Sequence, residues 1–397
     1  MAAASELDDD ESVLEPSEQT NRPPDVAFAQ QRIPAWHPIL DPLWVIIALF
    51  YLGAILVPVG FKLDSLQDEI IELQEKYDDF YAIEPHECAI GDKFNANHPC
   101  QIRFEVTEDM SPPILVHYEL TNFHQNHRSY YQSRDDYQLL GRVGEQDPVS
   151  KQRCKPLNEL GNITLNPCGV TANTFFNDVF KLVEGKDAMG IDLFMSEEGI
   201  AWQSDLEYAF AQPEGFRAAL CPNNGTLCDE TCCTGVDEDG DFAGLEWSCK
   251  KPHFEESEGV CYRYYYPEDE KTQYLYETYE NIISPLEGVT NEHFVVWMRI
   301  ATNPTFRKLY GWINEPIPKG QTLVFNVTAN YVVSRFRGSK SLILSTNNIF
   351  GGRNPYLGAS FYGVGFFCLA AGTFFALKQT LRPRKLADPN HLHFKQD

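Results

Sequence analysis

The residues of this chain that carry the most chemistry are its cysteines. Ten of the eleven fall between Cys88 and Cys261, and the eleventh, Cys368, stands apart in an apolar run. Thiolates can hold zinc, but structural zinc favours paired Cys-x-x-Cys spacings, which Cys228, Cys232 and Cys233 do not supply. The other thiol chemistry is oxidation. An even number of cysteines confined to one segment reads as a set of disulfides, and disulfides persist outside the reducing cytosol. Cys221, Cys228, Cys232, Cys233, Cys249 and Cys261 crowd a subregion, 221–261, rich in Gly, Asn and Asp. Few apolar residues occur there, so cross-links do what a core cannot. Spacing does not choose among the possible pairings, although adjacent Cys232 and Cys233 must take different partners.

Other reactive patterns are weaker. Asp237-Glu238-Asp239-Gly240-Asp241 opens like a calcium loop. Such a loop needs Gly at its sixth position and an acidic ligand at its twelfth, where this chain has Phe242 and Ser248, so an acidic turn is the better reading. His124, His127, Asp135 and Asp136 make a hydrolytic set only by sequence proximity. No P-loop, His-Glu-x-x-His or Gly-x-Ser-x-Gly motif is present. We expect no catalytic residue, no metal site and no cofactor. Three N-glycosylation sequons begin at Asn162, Asn224 and Asn326, and Pro304 disqualifies Asn303. All three lie in the segment between the apolar runs, so N-linked glycans are expected there.

Two elements must position that segment. Pro42–Phe61 and Asn354–Leu377 contain no charged residue, and each has the roughly 20 residues that a membrane-spanning helix needs. The first lies behind an acidic tail, too far along to be an ordinary signal peptide. Neither span carries the ionisable groups that line transport pathways. Lys and Arg are nearly balanced about the spans, so topology rests on the cysteines and sequons. The scheme is a cytosolic tail 1–41 with a Pro-rich strap at 22–40, a span 42–61, an exoplasmic or luminal ectodomain 62–353, a span 354–377 and a cytosolic tail 378–397. A formal charge of −25 argues against a nucleic-acid partner. Proline blocks a regular helix in the strap, which reads as extended, either a linker or a docking segment presenting Phe28, Ile33 and Trp36.

Within the ectodomain, Gln101–Val106, Ile114–Leu120 and Thr322–Val333 alternate polar and apolar residues, as strands with one wet face do. Thr174–Leu182 and Asn291–Ile300 read as short helices. After the first span, Leu63, Leu66, Ile70, Leu73 and Tyr77 fit a helical stripe, and Ile71, Leu73 and Tyr77 also fit a strand; propensity favours helix. The expected fold is therefore two transmembrane helices and a large antiparallel β-rich, disulfide-bonded, glycosylated ectodomain with a few short helices. In the second span Cys368, Gly372 and Ala376, and Ala359 with Gly363, repeat every four residues, a spacing that lets another helix approach. Gly53, Ala54 and Pro58 mark places for close contact or a bend in the first.

Specific strings carry a resemblance. They are Arg22-Pro23-Pro24-Asp25, Gln30-Gln31-Arg32 and Pro34-Ala35-Trp36, then Asn122-Phe123, Gln125-Asn126-His127-Arg128 and Ser133-Arg134-Asp135. Pro167-Cys168-Gly169, Ala172-Asn173, Phe176-Asn177-Asp178 and Gly199-Ile200-Ala201-Trp202 follow. Trp297-Met298-Arg299, Phe306-Arg307-Lys308-Leu309-Tyr310 and Gly351-Gly352-Arg353-Asn354 complete the series. In this order the chain resembles the cell division control protein 50 / ligand-effect modulator family, β-subunits of type IV P-type ATPase lipid flippases.

The resemblance implies a sandwich-like ectodomain over two spans, in a heterodimer with the ATPase catalytic subunit and in contact with membrane lipids. It implies a non-catalytic role in that subunit's folding, its exit from the endoplasmic reticulum and phospholipid translocation, since the Asp-Lys-Thr-Gly-Thr phosphorylation motif is missing. The compartment would be endoplasmic reticulum, Golgi, endosome or plasma membrane. It pairs Cys88 with Cys100 and Cys154 with Cys168, puts a glycan at Asn162, and points to Arg22, Phe28, Gln31, Arg32, Trp36, Gly53, Gly363 and Gly372 as partner-binding residues. The chain departs from the family in having one candidate bridge where many members have two nested ones, and in the extra cysteines of 221–261. A free-standing cell-surface glycoprotein is the alternative reading.

Overall fold

A backbone surrounded by lipid must satisfy its own hydrogen bonds, and an uncharged run of span length does so as a helix. Both apolar runs are helical in a computed structural model, which describes residues 24–33, 42–91, 97–142, 148–221, 254–257, 259–268, 270–348 and 351–383. In chain order the helices are α1 Pro42–Asp68, α2 Arg128–Tyr131, α3 Asp136–Leu139, α4 Pro148–Cys154, α5 Gln203–Tyr208, α6 Leu275–Thr278, α7 Glu292–Met298 and α8 Pro355–Leu381. The strands are β1 Glu72–Asp79, β2 His98–Glu105, β3 Ile114–Leu120, β4 Glu159–Leu160, β5 Ile163–Asn166, β6 Val179–Glu184 and β7 Met195–Ser196. They continue with β8 Arg217–Leu220, β9 Phe254–Ser257, β10 Val260–Tyr265, β11 Thr272–Tyr274, β12 Phe306–Ile313, β13 Thr322–Ala329 and β14 Ser339–Thr346. Most of α1 and α8 form one unit, and Lys62–Leu357, the ectodomain, forms another.

The ectodomain is built on two antiparallel sheets, ordered β1-β14-β3-β12-β7 and β2-β13-β6. Alternation in β3 turns Ile114, Val116, Tyr118 and Leu120 into the core and leaves Leu115, His117 and Glu119 on the other face. Aromatic rings link the two sheets. Phe180 of β6 meets Tyr77 of β1 edge-on at 5.8 Å and Tyr310 of β12 at 4.9 Å, while Tyr118 stacks on Phe176 at 3.9 Å. Two small sheets, β11-β5-β4 and β8-β10-β9, flank these; β5 and β11 run parallel.

Three sequence expectations change. The favoured helix over 62–80 is divided: α1 continues to Asp68, a turn from Gln67 to Ile70 ends it, and β1 begins at Glu72. Pairing along β14 supplies what helical propensity did not foresee. A bulge between Lys76 and Asp78 lets adjacent Tyr77 and Asp78 both face inward, which no strict period allows. The helix expected over Thr174–Leu182 is a single 3₁₀ turn, Ala172–Thr174, followed by β6, because Phe180 and Leu182 pair with Val327 and Phe325 of β13. Finally, Pro24–Ile33 is a closed turn and not an extended strap. Residues 25–33 contain no proline, so their N–H groups are free to bond: Arg32 N donates to Ala27 O at 2.7 Å and Gln30 N to Val26 O at 3.0 Å. An Arg32–Asp25 ion pair closes it. The helix expected near 291–300 is present as α7, capped by Asn291, whose Oδ1 accepts from Phe294 N at 3.1 Å.

Candidate partner interface

Within the helical unit, glycines bring α1 and α8 together. A Cβ placed on Gly53 would lie 2.6 Å from Leu369, and one on Gly60 would lie 2.5 Å from the backbone of Tyr362. From the other side, a Cβ on Gly365 would meet Val57 at 2.8 Å. Gly372 faces Leu49 and Phe50, and Phe61 stacks on Tyr362 at 5.1 Å. Gly358, Gly365 and Gly372 recur at seven-residue intervals, as do Gly53 and Gly60. That period holds one seam of each helix against the other. Gly53 and Gly372 thus serve the contact inside this chain, while Gly363 has nothing within 4 Å of its Cβ position. A four-residue spacing leaves out Gly60, Gly358 and Gly365, which the seven-residue period includes. Away from the seam, Trp44, Tyr51, Phe367 and Phe374 are exposed, an apolar surface that suits lipid or another helix. Long apolar helices with such surfaces make this an integral membrane protein.

In the turn at 24–33, Phe28 is 80 % exposed and Gln31 adopts a left-handed φ of 54°. The turn therefore presents one aromatic side chain beside the Arg32–Asp25 pair. Arg22 and Trp36 lie outside the described residues.

The ectodomain ties together the strands that continue into the two long helices. β1 follows α1, β14 precedes α8, and the two pair from Glu72↔Ser345 to Asp79↔Ser339. Below them, Ile71 N donates to Thr346 Oγ1 at 2.9 Å, Asn348 Nδ2 to Leu66 O at 3.1 Å and Asn354 N to Gln67 Oε1 at 2.7 Å. In the core, fully buried Lys340 Nζ lies 2.8 Å from Asp178 Oδ2 and 3.4 Å from Asp78 Oδ2, and donates to Tyr331 O at 2.7 Å. Tyr77 O–H donates to the same Asp178 oxygen at 2.9 Å. Burial raises the Asp78 carboxyl above its ordinary range, with Lys340 opposing the rise. One cation stands between two carboxylates, and the charge of Asp178 adds to the rise at Asp78. On the outer face, Arg307 donates to Glu72 at 2.8 and 2.9 Å and to Glu119 at 2.9 Å. It therefore reaches from β12 across β3 and β14 to β1.

Cys88–Cys100 and Cys154–Cys168 are bonded. Cys221 and Cys261 each take part in a disulfide, and between their backbones Cys221 N donates to Cys261 O at 3.1 Å. Cys228, Cys232, Cys233, Cys249 and Asn224 lie outside the described residues. Asn162 is exposed in the turn between β4 and β5, and Asn326 projects outward from the middle of β13, where its Oδ1 accepts from Gln101 Nε2 at 3.0 Å. The imagined hydrolytic set is dispersed into structural roles. Asp135 caps α3 by accepting from Tyr137 N at 2.9 Å, Asp136 pairs with Arg134 at 2.9 Å, and His127 Nδ1 bonds Ser129 Oγ at 2.8 Å.

Two of the strings that carried the resemblance meet at one cavity of about 480 Å³, lined by Arg134, Asp136, Asp205, Tyr208, Met298 and Arg299. Arg299 pairs with Asp205 at 2.6 Å and its guanidinium stacks 4.6 Å from the Trp202 ring. Each arginine there already has a carboxylate, so the cluster is electrically closed and orders the loops that frame it.

Known proteins match this chain along most of its length. The chain is 30% identical to "ALA-interacting subunit 3" of Arabidopsis thaliana over 388 residues, 95% of this chain and 92% of that protein. It is 31% identical to "Cell cycle control protein 50A" of Mus musculus over 363 residues, 89% of this chain and 88% of that protein. It is 28% identical to "Phospholipid-transporting ATPase accessory subunit CRF1" of Saccharomyces cerevisiae over 411 residues, 96% of this chain and 90% of that protein. The family description LEM3 (ligand-effect modulator 3) family / CDC50 family matches residues 64–385, which take in the ectodomain and α8, and the chain belongs to this family.

Proposed function

We propose that this chain is the non-catalytic accessory subunit of a type IV P-type ATPase phospholipid flippase, and that it assists the folding, export from the endoplasmic reticulum and transport activity of the catalytic subunit. The observation that carries this reading is the family match across 64–385, which takes in the ectodomain and α8 together. Relatives named as an accessory subunit of a phospholipid-transporting ATPase and as an ALA-interacting subunit support it. So does the arrangement: two spans packed on each other, with apolar surface outward, joined through one sandwich.

In this reading both termini are cytosolic, and Asn162, Asn224 and Asn326 carry glycans on the opposite side. Arg22, Phe28, Gln31, Arg32 and Trp36 dock on the cytosolic face of the ATPase. Gly363, open on the outside of α8, marks the span's partner face. Several modest contacts then add by effective concentration, without one large pocket. The test is purification of the tagged chain from its own membranes in mild detergent. A large P-type ATPase in stoichiometric amount is the expected companion. Repeated recovery of the chain without one would overturn the reading and favour a free-standing surface glycoprotein.

A further inference from the structure

The larger sheet has one end at which the chain enters from α1. Across that end Glu72 pairs with Ser345, Ser345 with Leu115, Leu115 with Trp312 and Trp312 with Ser196. Glu72 lies four residues beyond Asp68, the last residue of α1, and Ser196 lies two beyond Phe194. The segment joining β6 to β7 therefore hangs from the same end of the sheet that α1 enters. It is a hairpin. Leu193 N donates to Gly185 O at 3.0 Å, Asp187 N to Ile191 O at 2.9 Å, and Lys186 bridges to Asp192. Gly190, at a φ of 83°, takes the left-handed position that closes a three-residue loop.

The hairpin is fastened at its root and apolar at its tip. Leu193 is buried, and a Cβ on Gly185 would lie 2.6 Å from Leu323, so the root has no room to shift. Beyond it Met189 is 84 % exposed and Ile191 62 %, and Phe194, beside the root, is 73 %. Its charges are answered locally. Asp187 Oδ1 accepts from Met189 N and Ile191 N at 2.8 Å each, and Lys186 Nζ lies 4.0 Å from Asp192. Large exposed apolar side chains on one short hairpin with a fastened root mark a contact with something outside the domain.

We infer that this hairpin, Gly185–Phe194, seats Met189, Ile191 and Phe194 in the interfacial layer of the lipid leaflet from which α1 emerges. The last turns of α1, Lys62–Asp68, belong to the ectodomain unit and reach the sheet at the row that carries the hairpin. Those seven residues rise ~10 Å. The arm from Gly190 to Met195 spans ~16 Å when extended, which is enough to regain the level of Lys62. A lipid interface accepts Met, Ile and Phe without the shape match a protein surface demands. Asp192 is paired with Lys186 and Glu197 with His293, and the flanking acids Glu184 and Glu198 select the leaflet's composition: zwitterionic lipid tolerates them, and an anionic surface repels them.

The experiment uses the full-length chain, without any ATPase, in nanodiscs of zwitterionic phospholipid. Cys368→Ala removes the free thiol among the described residues, and a nitroxide is placed at Met189→Cys, Phe194→Cys or, as a control, Ile83→Cys, which is 99 % exposed beyond the far end of β1. The lipid-seated labels should collide more with oxygen and less with an aqueous nickel chelate than the control. Folding is checked by melting temperature in detergent, since each labelled side chain is exposed. Equal water accessibility at all three sites in a folded protein overturns the inference. Shielding that arises only when an ATPase is co-reconstituted overturns it too, because the tip would then be a protein-docking surface.

Discussion

His117 shows how one side chain can be unreadable from its neighbours in sequence. It projects from β3 on the face away from the core, yet burial, with the Arg307 guanidinium adding to it and Glu72 opposing, lowers its pKa from 6.5 to about 4. Arg307 is 190 residues away along the chain, so no local pattern announces the encounter. The folded protein keeps this imidazole neutral, while the unfolded chain takes up a proton as soon as pH drops below 6.5. The stabilising contribution is therefore complete above pH 6.5 and is lost as pH falls through about 4, to a total of about 3 kcal/mol. Asp78 has the opposite sign, its raised carboxyl favouring the fold as acid is added. We expect His117→Leu to flatten the fall in melting temperature between neutral pH and pH ~4.5; an unchanged slope would show that other groups control it. The Lys340–Asp178–Asp78 cluster is equally nonlocal. The sequence contained each residue, and only the meeting of β1, β6 and β14 gives them a role.

At the scale of elements, legibility followed environment. β3 and β13 have one core face and one outer face, so alternation found them in the sequence. β1 was obscured by its bulge, and β6 by the stretch Thr174–Leu182, which reads as a short helix. The spans were legible from length and lack of charge, whereas their packing seam was not, because glycine and alanine are common in such helices and the spacing was read in fours. The seam yields a paired test. Gly365→Leu should force α1 from α8, since its Cβ position already lies 2.8 Å from Val57, and should lower the yield of folded protein in detergent. Overpacking of this kind typically costs about 1–3 kcal/mol. Gly363→Leu meets open space and should leave yield and melting temperature unchanged. Loss of the co-purifying ATPase in Gly363→Leu alone would place the partner on that face; retention would remove Gly363 from the interface.

For the molecule as a whole, the resemblance identified the family, the layered plan and two disulfide pairs, while the pairing within 221–261 stayed closed to sequence because the spacing of six cysteines does not choose among their possible pairings. The Cys154–Cys168 bridge sits in a small apolar cluster with Leu165 and Leu157, apart from the main core. It has little packing to fall back on. Replacing both cysteines by serine should cost roughly 2–5 kcal/mol, a large part of a domain's net stability. The variant should stay sensitive to endoglycosidase H, reporting retention early in the secretory pathway; normal maturation to the resistant form would refute this. The pairing of β1 with β14 has a consequence in time. During synthesis β1 emerges first and its partner last, so nearly the whole ectodomain must be made before Glu72 can meet Ser345. A sheet closed by its most distant strands has high contact order and folds slowly. Until the ribosome finishes, the first strand is an open edge that other chains can pair with, and completing translation is what seals the domain.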